Sequence, residues 1–254
     1  MGAAAGLASG LFGVGGGLAM VPALTGLFRF TQHEAHGTSL AVIGLTALAA
    51  LVVYGAHANV VWMAALTMAI GSLVTAPLGA RLAARVSPGR LRRAFAVFLV
   101  LVAVRLLWAP PVVAHREAFS GVAGIAATLL LGLAAGGLAG FMGVGGGMLM
   151  VPGLTLVFGM SQQTAQGTSL AVMLVTGPAA ALEHSRHGNV VWRLVPFLAV
   201  GAAVVAPLAA WGAHGLPHAL LARCFAVFLL VTAIHTWKRV PKRDPVSEAA
   251  DLPR

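Results

Sequence analysis

The chain has 254 residues, of which 59% are hydrophobic and only 9% are charged, and its mean hydropathy is +0.93. This balance excludes a water-soluble globular domain and indicates a polytopic membrane protein, whose long and uniformly apolar segments predict an all-α bundle rather than a barrel. The net charge of +10 does not indicate nucleic-acid binding, because the basic residues stand in short runs at the ends of apolar segments.

The chain begins with a short apolar segment, 1–12, that ends in a glycine-rich run at 13–17, and this run is followed by apolar residues and Pro22. The same ten-residue pattern returns at 143–152. Four glycines in five positions allow positive φ angles, as a helix break inside a packed interior requires. A shift of 130 residues also aligns further segments without a gap: 37–42 with 167–172, 57–62 with 187–192, and 93–99 with 223–229. The chain therefore consists of two sequence repeats.

Each repeat divides into five apolar pieces, which in the second repeat lie at 118–142, 145–158, 167–182, 190–213 and 219–237. The 14 residues of the second piece give about 21 Å of helix, less than the roughly 30 Å hydrocarbon core. We therefore expect a half-helix that ends inside the protein, or a span that its flanks complete. The first piece of the first repeat is about ten residues shorter than its counterpart. A start codon assigned too late explains this difference better than a naturally short helix.

The domain boundaries follow from these pieces: a first membrane repeat at 1–108, an inter-repeat loop at 109–117, a second membrane repeat at 118–237 and a polar cytoplasmic tail at 238–254. Five segments per half place 13 of the 16 basic residues on one face, which the positive-inside rule assigns to the cytoplasm, together with both termini. An odd number of segments also inverts the second repeat relative to the first. Four segments per half would make the repeats parallel, but would put the loops at 81–93 and 212–222 on the same side of the membrane despite their unequal charge.

The glycine-rich runs, each followed by a proline, and the Gly-Thr-Ser triplets at 37–39 and 167–169 resemble the pattern of the sulfite exporter TauE/SafE family of membrane transporters. The resemblance covers nearly the whole chain and departs from the family pattern only at the shortened first piece. It implies transport of small anions, above all sulfur oxyanions such as sulfite and sulfonates, without ATP hydrolysis in the same chain. Members differ in substrate and in the direction of transport, so the resemblance does not settle which anion is moved or in which direction.

The glycine runs are the first part of a candidate substrate site. Each precedes a helix N-terminus, where free N–H groups and the positive end of the helix dipole favour an anion. Close helix packing is the alternative interpretation, but four glycines in five positions exceed what packing needs. No strand precedes the runs and no Walker lysine follows them, so a nucleotide loop is excluded. The predicted site glycines are Gly15, Gly16, Gly17, Gly145, Gly146 and Gly147.

The Gly-Thr-Ser triplets are expected to open helices, because hydroxyls there can cap the helix and can also donate to an oxyanion. Gln166 could add an amide donor, whereas His36 holds its place in the first repeat, so the site should not be two-fold symmetric. We expect the glycine runs and the triplets to converge near the bilayer midplane. The predicted polar site residues are Thr38, Ser39, Gln166, Thr168 and Ser169.

Three titratable residues are candidates for coupling transport to protons. His57 and His187 lie at span boundaries, where an interfacial turn held by polar side chains is the better interpretation. Glu183 is the one acidic residue within an apolar piece, and membrane-embedded carboxylates are usually paired or functional. A water-facing position near Arg186 is an equal alternative for it.

The sequence thus predicts a secondary transporter of a small sulfur-containing anion in a prokaryotic plasma membrane, and not an enzyme. A passive anion channel is the alternative. An intramembrane hydrolase around Ser9 is weaker, because the second repeat has Ala139 at that position. No cofactor or metal is expected, and the single cysteine excludes an internal disulfide. The expected partners are the anion and the lipid bilayer, without nucleic acid, and a homo-oligomer is left open.

Overall fold

The structure is a computed structural model that describes residues 1–28, 30–83, 88–108, 121–142 and 145–238. All regular structure in these residues is helical, as predicted. The described residues form ten helices: α1 (Gly2–Phe12), α2 (Gly17–Leu27), α3 (Gln32–Ala56), α4 (Trp62–Ala83), α5 (Pro88–Trp108), α6 (Val122–Met142), α7 (Gly147–Leu156), α8 (Gln162–Arg186), α9 (Val195–His214) and α10 (His218–Lys238). Within the same ranges, six of them have the length and hydropathy to cross a membrane: α3, α4, α6, α8, α9 and α10.

The two longest helices begin at side-chain caps that the sequence analysis did not use. Thr31 accepts from the backbone of Glu34, whose carboxylate accepts in return from the backbone of Thr31, which completes a capping box at the start of α3. Ser161 caps α8 by accepting from the backbone of Thr164. The prediction that the Gly-Thr-Ser triplets open helices is therefore wrong. Each triplet begins at the sixth residue of its helix, because the capping hydroxyls of Thr31 and Ser161 lie six residues before it.

The first two helices of each repeat form a hairpin that folds at the glycine run. A β-carbon on Gly16 would lie 2.5 Å from the carbonyl oxygen of Ala5, so the chain returns beside α1 after the break. In the second repeat, a β-carbon on Gly153 would lie 2.6 Å from the side chain of Leu131 in α6. With 11 and 10 residues, α2 and α7 are only about 15 Å long. The short second piece is therefore a half-helix in both repeats.

A hydrophobic cluster shows where the hairpin of the first repeat ends. Met20 and Leu24 of α2 are buried together with Ala5 of α1, Ala35 of α3 and Ala199 of α9. Because these residues of α1, α3 and α9 lie near the beginning of their helices, α2 returns to the end of the bundle from which α1 starts.

The helices α3 and α8 form an antiparallel pair at the centre of the bundle. Near the start of α3, a β-carbon on Gly37 would lie 3.0 Å from the β-carbon of His184, which is near the end of α8. Near the start of α8, the same distance separates a β-carbon on Gly167 from that of Tyr54. Two helices that correspond by the 130-residue offset therefore run in opposite directions, as they do in an inverted repeat.

The outer helices exchange partners between the repeats, since α6 packs on α4 and the corresponding α1 packs on α9. Small residues permit this close approach, because a β-carbon on Gly132 or Gly136 of α6 would overlap the backbone of α4. The hydroxyls of Thr67 and Thr128 lie 2.7 Å apart, and Thr75 donates to the carbonyl of Leu133 at 2.7 Å. Each repeat is thus packed mainly against the other.

One end of the bundle, which we call the basic end, is the end where α3 begins and where α4 and α8 finish. Arg81 closes α4, Arg186 closes α8, and Arg193 lies in the turn before α9. At the opposite end the described side chains include Arg105 and Arg223. Several basic residues used in the topology prediction lie outside the described residues, as do the inter-repeat loop and the tail after Lys238: Arg29, Arg85, Arg116, Arg239, Lys242, Arg243 and Arg254.

Candidate functional site

The glycine runs adopt the left-handed backbone that their composition predicts. The φ angles are +65° at Gly13, +73° at Gly15, +75° at Gly16, +86° at Gly145 and +73° at Gly146. A side chain in this region is strained by about 1–2 kcal/mol, so glycine is the residue that allows the chain to reverse here.

The two breaks meet on the central helix pair. A β-carbon on Gly15 would lie 2.9 Å from the sulfur of Met173 and 3.0 Å from the side chain of Ile43. A β-carbon on Gly145 would contact the same two residues, at 2.9 Å from Ile43 and 3.2 Å from Met173. Ile43 and Met173 themselves correspond by the 130-residue offset. The structure therefore brings both predicted glycine runs to one place, with an apolar side chain from each central helix between them.

The half-helices α2 and α7 begin at this meeting point. Gly147, the first residue of α7, lies so close to the opposite break that its β-carbon would be 2.8 Å from the Cα of Val14. Gly17, the first residue of α2, is buried as well. The N–H groups of a first helical turn have no acceptor within their helix, and they carry the positive end of its dipole. Two helix N-termini are thus directed into the interior of the bundle, an arrangement whose chemistry suits an anion.

The predicted threonines hold the two repeats together. Thr38 accepts a hydrogen bond from the backbone N–H of Val191 at 3.0 Å, and Thr168 accepts one from Val61 at 3.1 Å. Thr168 also donates to the carbonyl of Thr164 at 2.7 Å. Both threonines are fully buried. Their hydroxyls therefore fix the segments that follow α8 and α3.

The structure does not bring the two triplets together. Gly37 lies at the basic end, whereas Gly167 lies beside Tyr54, which is 17 residues further along α3. At 1.5 Å per residue these positions are about 25 Å apart along the helix pair. The triplet at 37–39 lies on the basic-end side of the point where the glycine breaks meet, and the triplet at 167–169 lies on the opposite side.

On the side away from the basic end, three buried side chains surround the first break. The Tyr54 hydroxyl lies 2.8 Å from the Gly10 carbonyl and 2.8 Å from Oε1 of Gln166, and it can donate to one of them at a time. Ser169 donates to the carbonyl of Gly13 at 3.1 Å. Nε2 of Gln166 is buried without a hydrogen-bond partner. We call Tyr54, Gln166, Ser169, Gly10 and Gly13 the neutral cluster.

Toward the basic end, the corresponding positions carry imidazoles. The ring of His184 lies near the backbone of Gly140, as the Tyr54 hydroxyl lies near that of Gly10 in the other repeat. His36 interacts electrostatically with His184, and the fully buried hydroxyl of Ser39 has no hydrogen-bond partner. We call His36, Ser39, His184 and Gly140 the imidazole cluster. The two clusters match in position and differ in chemistry.

The predicted coupling histidines close the ends of their own helices. Nδ1 of His57 lies 2.8 Å from the carbonyl of Val53, and the exposed His57 ring stacks on His214 at 4.1 Å. Nδ1 of His187 lies 2.9 Å from the carbonyl of Glu183. The interfacial-turn interpretation therefore describes both positions.

Glu183 takes part in an ion-pair network at the basic end. Its carboxylate lies 3.4 Å from Arg81 and 3.3 Å from Arg186, and both arginine side chains are largely exposed. Glu183 is thus a buried carboxylate that is paired with two exposed arginines, rather than a water-facing residue.

A comparison with protein families gives a match over nearly the whole chain. The family model described as sulfite exporter TauE/SafE matches residues 1–106 and 127–253. The chain belongs to the sulfite exporter TauE/SafE family.

Two relatives of this TauE/SafE chain have similar length. A "Probable membrane transporter protein" of Xylella fastidiosa (strain 9a5c) is 28% identical over 239 residues, which cover 92% of this chain and 91% of the relative. "Probable membrane transporter protein YunE" of Bacillus subtilis (strain 168) is 30% identical over 228 residues, with coverages of 80% and 82%. No solved structure matches the chain. The chain is a multi-pass membrane transporter, which confirms the predicted family and general function.

Sequence reasoning about this TauE/SafE chain missed Tyr54 and His184 as site residues. Tyr54 is the single tyrosine of the chain and stands in an otherwise apolar helix, so its composition alone could have marked it. His184 directly follows Glu183, which was taken as the candidate of that pair. A comparison of the repeats at the 130-residue offset pairs Tyr54 with His184 and could have found both.

Proposed function

We propose that this TauE/SafE chain is a secondary transporter of a small anion, and that the anion binds where the two glycine breaks meet. The observation that carries the proposal is the meeting of the N-termini of α2 and α7 on Ile43 and Met173. An anion that enters an apolar bundle must replace its lost water contacts, and bare backbone N–H groups can do so. Because such donors carry no fixed charge, they can also release the anion.

Sulfite, a sulfonate or a related sulfur oxyanion fits these donors. The oxygens of such an anion accept several hydrogen bonds at once, and the buried hydroxyl of Ser39 and Nε2 of Gln166 lack partners. The proposed binding residues are Gly15, Gly16, Gly17, Gly145, Gly146, Gly147, Ser39, Gln166 and Ser169, while Thr38 and Thr168 position the segments around them.

A carrier fits the structure better than a channel. Ile43 and Met173 contact both breaks and so occupy the point at which an open pore would have to pass. The neutral and imidazole clusters lie on opposite sides of that point. This placement supports alternating access to one central site from two sides.

The proposed topology is an inverted pair of repeats with both termini in the cytoplasm. It rests on the antiparallel α3 and α8 and on the position of Arg81, Arg186 and Arg193 at one end, which we assign to the cytoplasm of a prokaryotic cell. Reporter fusions in the connection between α4 and α5 and in that between α9 and α10 should give opposite orientations. The same orientation for both loops would contradict the inversion.

Counterflow of labelled sulfite or sulfoacetate in proteoliposomes tests the proposed substrate class. The expected result is uptake of label well above that of empty liposomes when the same unlabelled anion is inside. If cations or neutral solutes exchange and none of these anions does, the proposal is wrong.

Gly147→Ala tests the proposed site. The new methyl group would lie 2.8 Å from the Cα of Val14 and would push the two breaks apart, so we expect counterflow to be lost while the protein still folds. Gly55→Ala is the matched control, because a β-carbon there meets nothing within 4 Å. Equal counterflow in both variants would show that the meeting of the breaks does not form the site.

A further inference from the structure

The imidazole cluster places a titratable pair where the other repeat has a neutral one. The 130-residue offset relates His184 to Tyr54 and His36 to Gln166, and it likewise relates Gly140, near His184, to Gly10, near Tyr54. His184 is 6% exposed, whereas His36 is partly exposed. His184 is therefore enclosed by the bundle, and His36 lies nearer to its surface.

His184 has a ring nitrogen that can accept a proton. Its ring is buried, and Nε2 has no hydrogen-bond partner. A neutral imidazole carries a proton on one ring nitrogen and a lone pair on the other. His184 can thus accept a proton within the bundle.

Charged and titratable groups connect this acceptor with the basic end. His33 on α3 interacts with both His36 and His184, while His187 and Glu183 on α8 interact with His184. Glu183 in turn pairs with the exposed Arg81 and Arg186, the first of which belongs to α4. The pair thus lies beside titratable and charged groups that extend to the end that we assign to the cytoplasm.

We propose that His36 and His184 form a proton-binding site that couples movement of the anion to a proton gradient. This inference rests on the proposed function, anion transport, and adds the coupling ion. A proton taken up by His184 places a positive charge in a medium of low dielectric constant, where its attraction for an anion is strong. His36 is three residues before the buried Ser39, on the same face of α3, so the proton lies close to a proposed anion ligand. Two adjacent imidazoles repel each other when both are charged, so the pair takes up one proton per cycle.

The chain supplies its own control for this proposal, because the neutral cluster shows which residues fill the same positions without titrating. The double variant His36→Gln/His184→Tyr transfers that pair to the basic end. His235→Gln, at an exposed histidine of α10, controls for the loss of a histidine as such.

The experiment uses the full chain in proteoliposomes with the membrane potential clamped and sulfoacetate as the labelled anion. Its sulfonate stays ionised, and its carboxyl group is ionised as well at a pH of about 7, so a proton that crosses with this form of the anion is carried by the protein. Two quantities are measured: counterflow without a gradient, and accumulation of label driven by an imposed pH gradient in either direction, with a pH-sensitive dye inside. One coupled proton supports about tenfold accumulation per pH unit.

We expect the unmodified protein and His235→Gln to accumulate the anion in one direction of the gradient. The double variant should still exchange the anion in counterflow, with a weaker apparent affinity because it lacks the charge on His184. Its accumulation ratio should fall from about tenfold to one, and the dye signal should disappear. Unchanged accumulation in the double variant would overturn the proposal, as would counterflow without accumulation in the unmodified protein. Absence of counterflow for sulfoacetate and sulfite alike would overturn the proposed function itself. If the double variant does not reconstitute, His184→Tyr alone is measured against the same two outcomes.

Discussion

Gly16 and Gly146 occupy equivalent positions in the two repeats, yet we expect alanine to be tolerated much less well at Gly16. A β-carbon on Gly16 would lie 2.5 Å from the carbonyl oxygen of Ala5, which belongs to a packed helix backbone. A β-carbon on Gly146 would lie 3.0 Å from the carbonyl oxygen of Ala135 and 3.2 Å from the terminal methyl group of Met150, which can move. The first contact requires a backbone shift, and the second requires little.

The magnitudes follow from two separable costs. Positive φ costs alanine about 1–2 kcal/mol at either position, and overpacking against a fixed backbone adds about 1–3 kcal/mol at Gly16. Gly188→Ala isolates the first cost, because φ is +71° there and a β-carbon meets nothing within 4 Å. Gly55→Ala has neither cost. We therefore expect Gly16→Ala to be less stable than Gly146→Ala by about 1–3 kcal/mol, or roughly 3–10 °C in Tm.

The assay is thermal unfolding of the four purified variants in one detergent, followed by loss of the monodisperse species. The expected order of Tm is Gly55→Ala highest, Gly188→Ala and Gly146→Ala next, and Gly16→Ala lowest. If Gly16→Ala unfolds at the temperature of Gly188→Ala, the close approach of the first break to α1 does not exist and the reasoning is refuted.

Three further outcomes are expected, two in thermal unfolding and one in a comparison of counterflow with thermal unfolding. Tyr54→Phe removes a hydroxyl that links α3 to α1 and α8, which should lower the stability by about 1–3 kcal/mol. Thr46→Val removes only a local hydrogen bond to the preceding turn and should lower the stability clearly less. Equal losses of stability in the two variants would contradict the link through Tyr54. Thr38→Val leaves the backbone N–H of Val191 without its acceptor and should cost about 1–3 kcal/mol; an unchanged Tm would show that this bond does not link the repeats. Ser169→Ala should lower the apparent affinity for the anion in counterflow more than it lowers Tm, and the reverse result would make Ser169 a structural residue.

The positions of the helix starts show how far local sequence could be read. The glycine breaks were placed correctly, because a run of four glycines has few other uses inside an apolar chain. The starts of α3 and α8 were placed too late, because the polar residues before the triplets were taken for a loop. Thr31 and Glu34 have the spacing of a capping box, so this error could have been avoided.

The composition of the helices could not reveal their contacts. Membrane helices are apolar on every side, so their periodicity does not show which face meets a neighbour. That Thr38 would accept from Val191, or that Tyr54 would reach Gln166, depends on residues more than 100 positions apart. Only packing between the repeats decides such pairs.

The sequence by itself determined that this protein is a helical membrane protein, and it predicted two repeats and the position of the break in each, because hydropathy, glycine content and an offset of 130 residues are local or directly countable properties. The tertiary structure decided that the breaks meet on Ile43 and Met173 and that the triplets lie apart. It also decided that the repeats surround their breaks with different chemistry, a hydroxyl and an amide on one side and two imidazoles on the other. The reason is that antiparallel packing of α3 against α8 places the start of one helix beside the end of the other, a relation that no single segment contains.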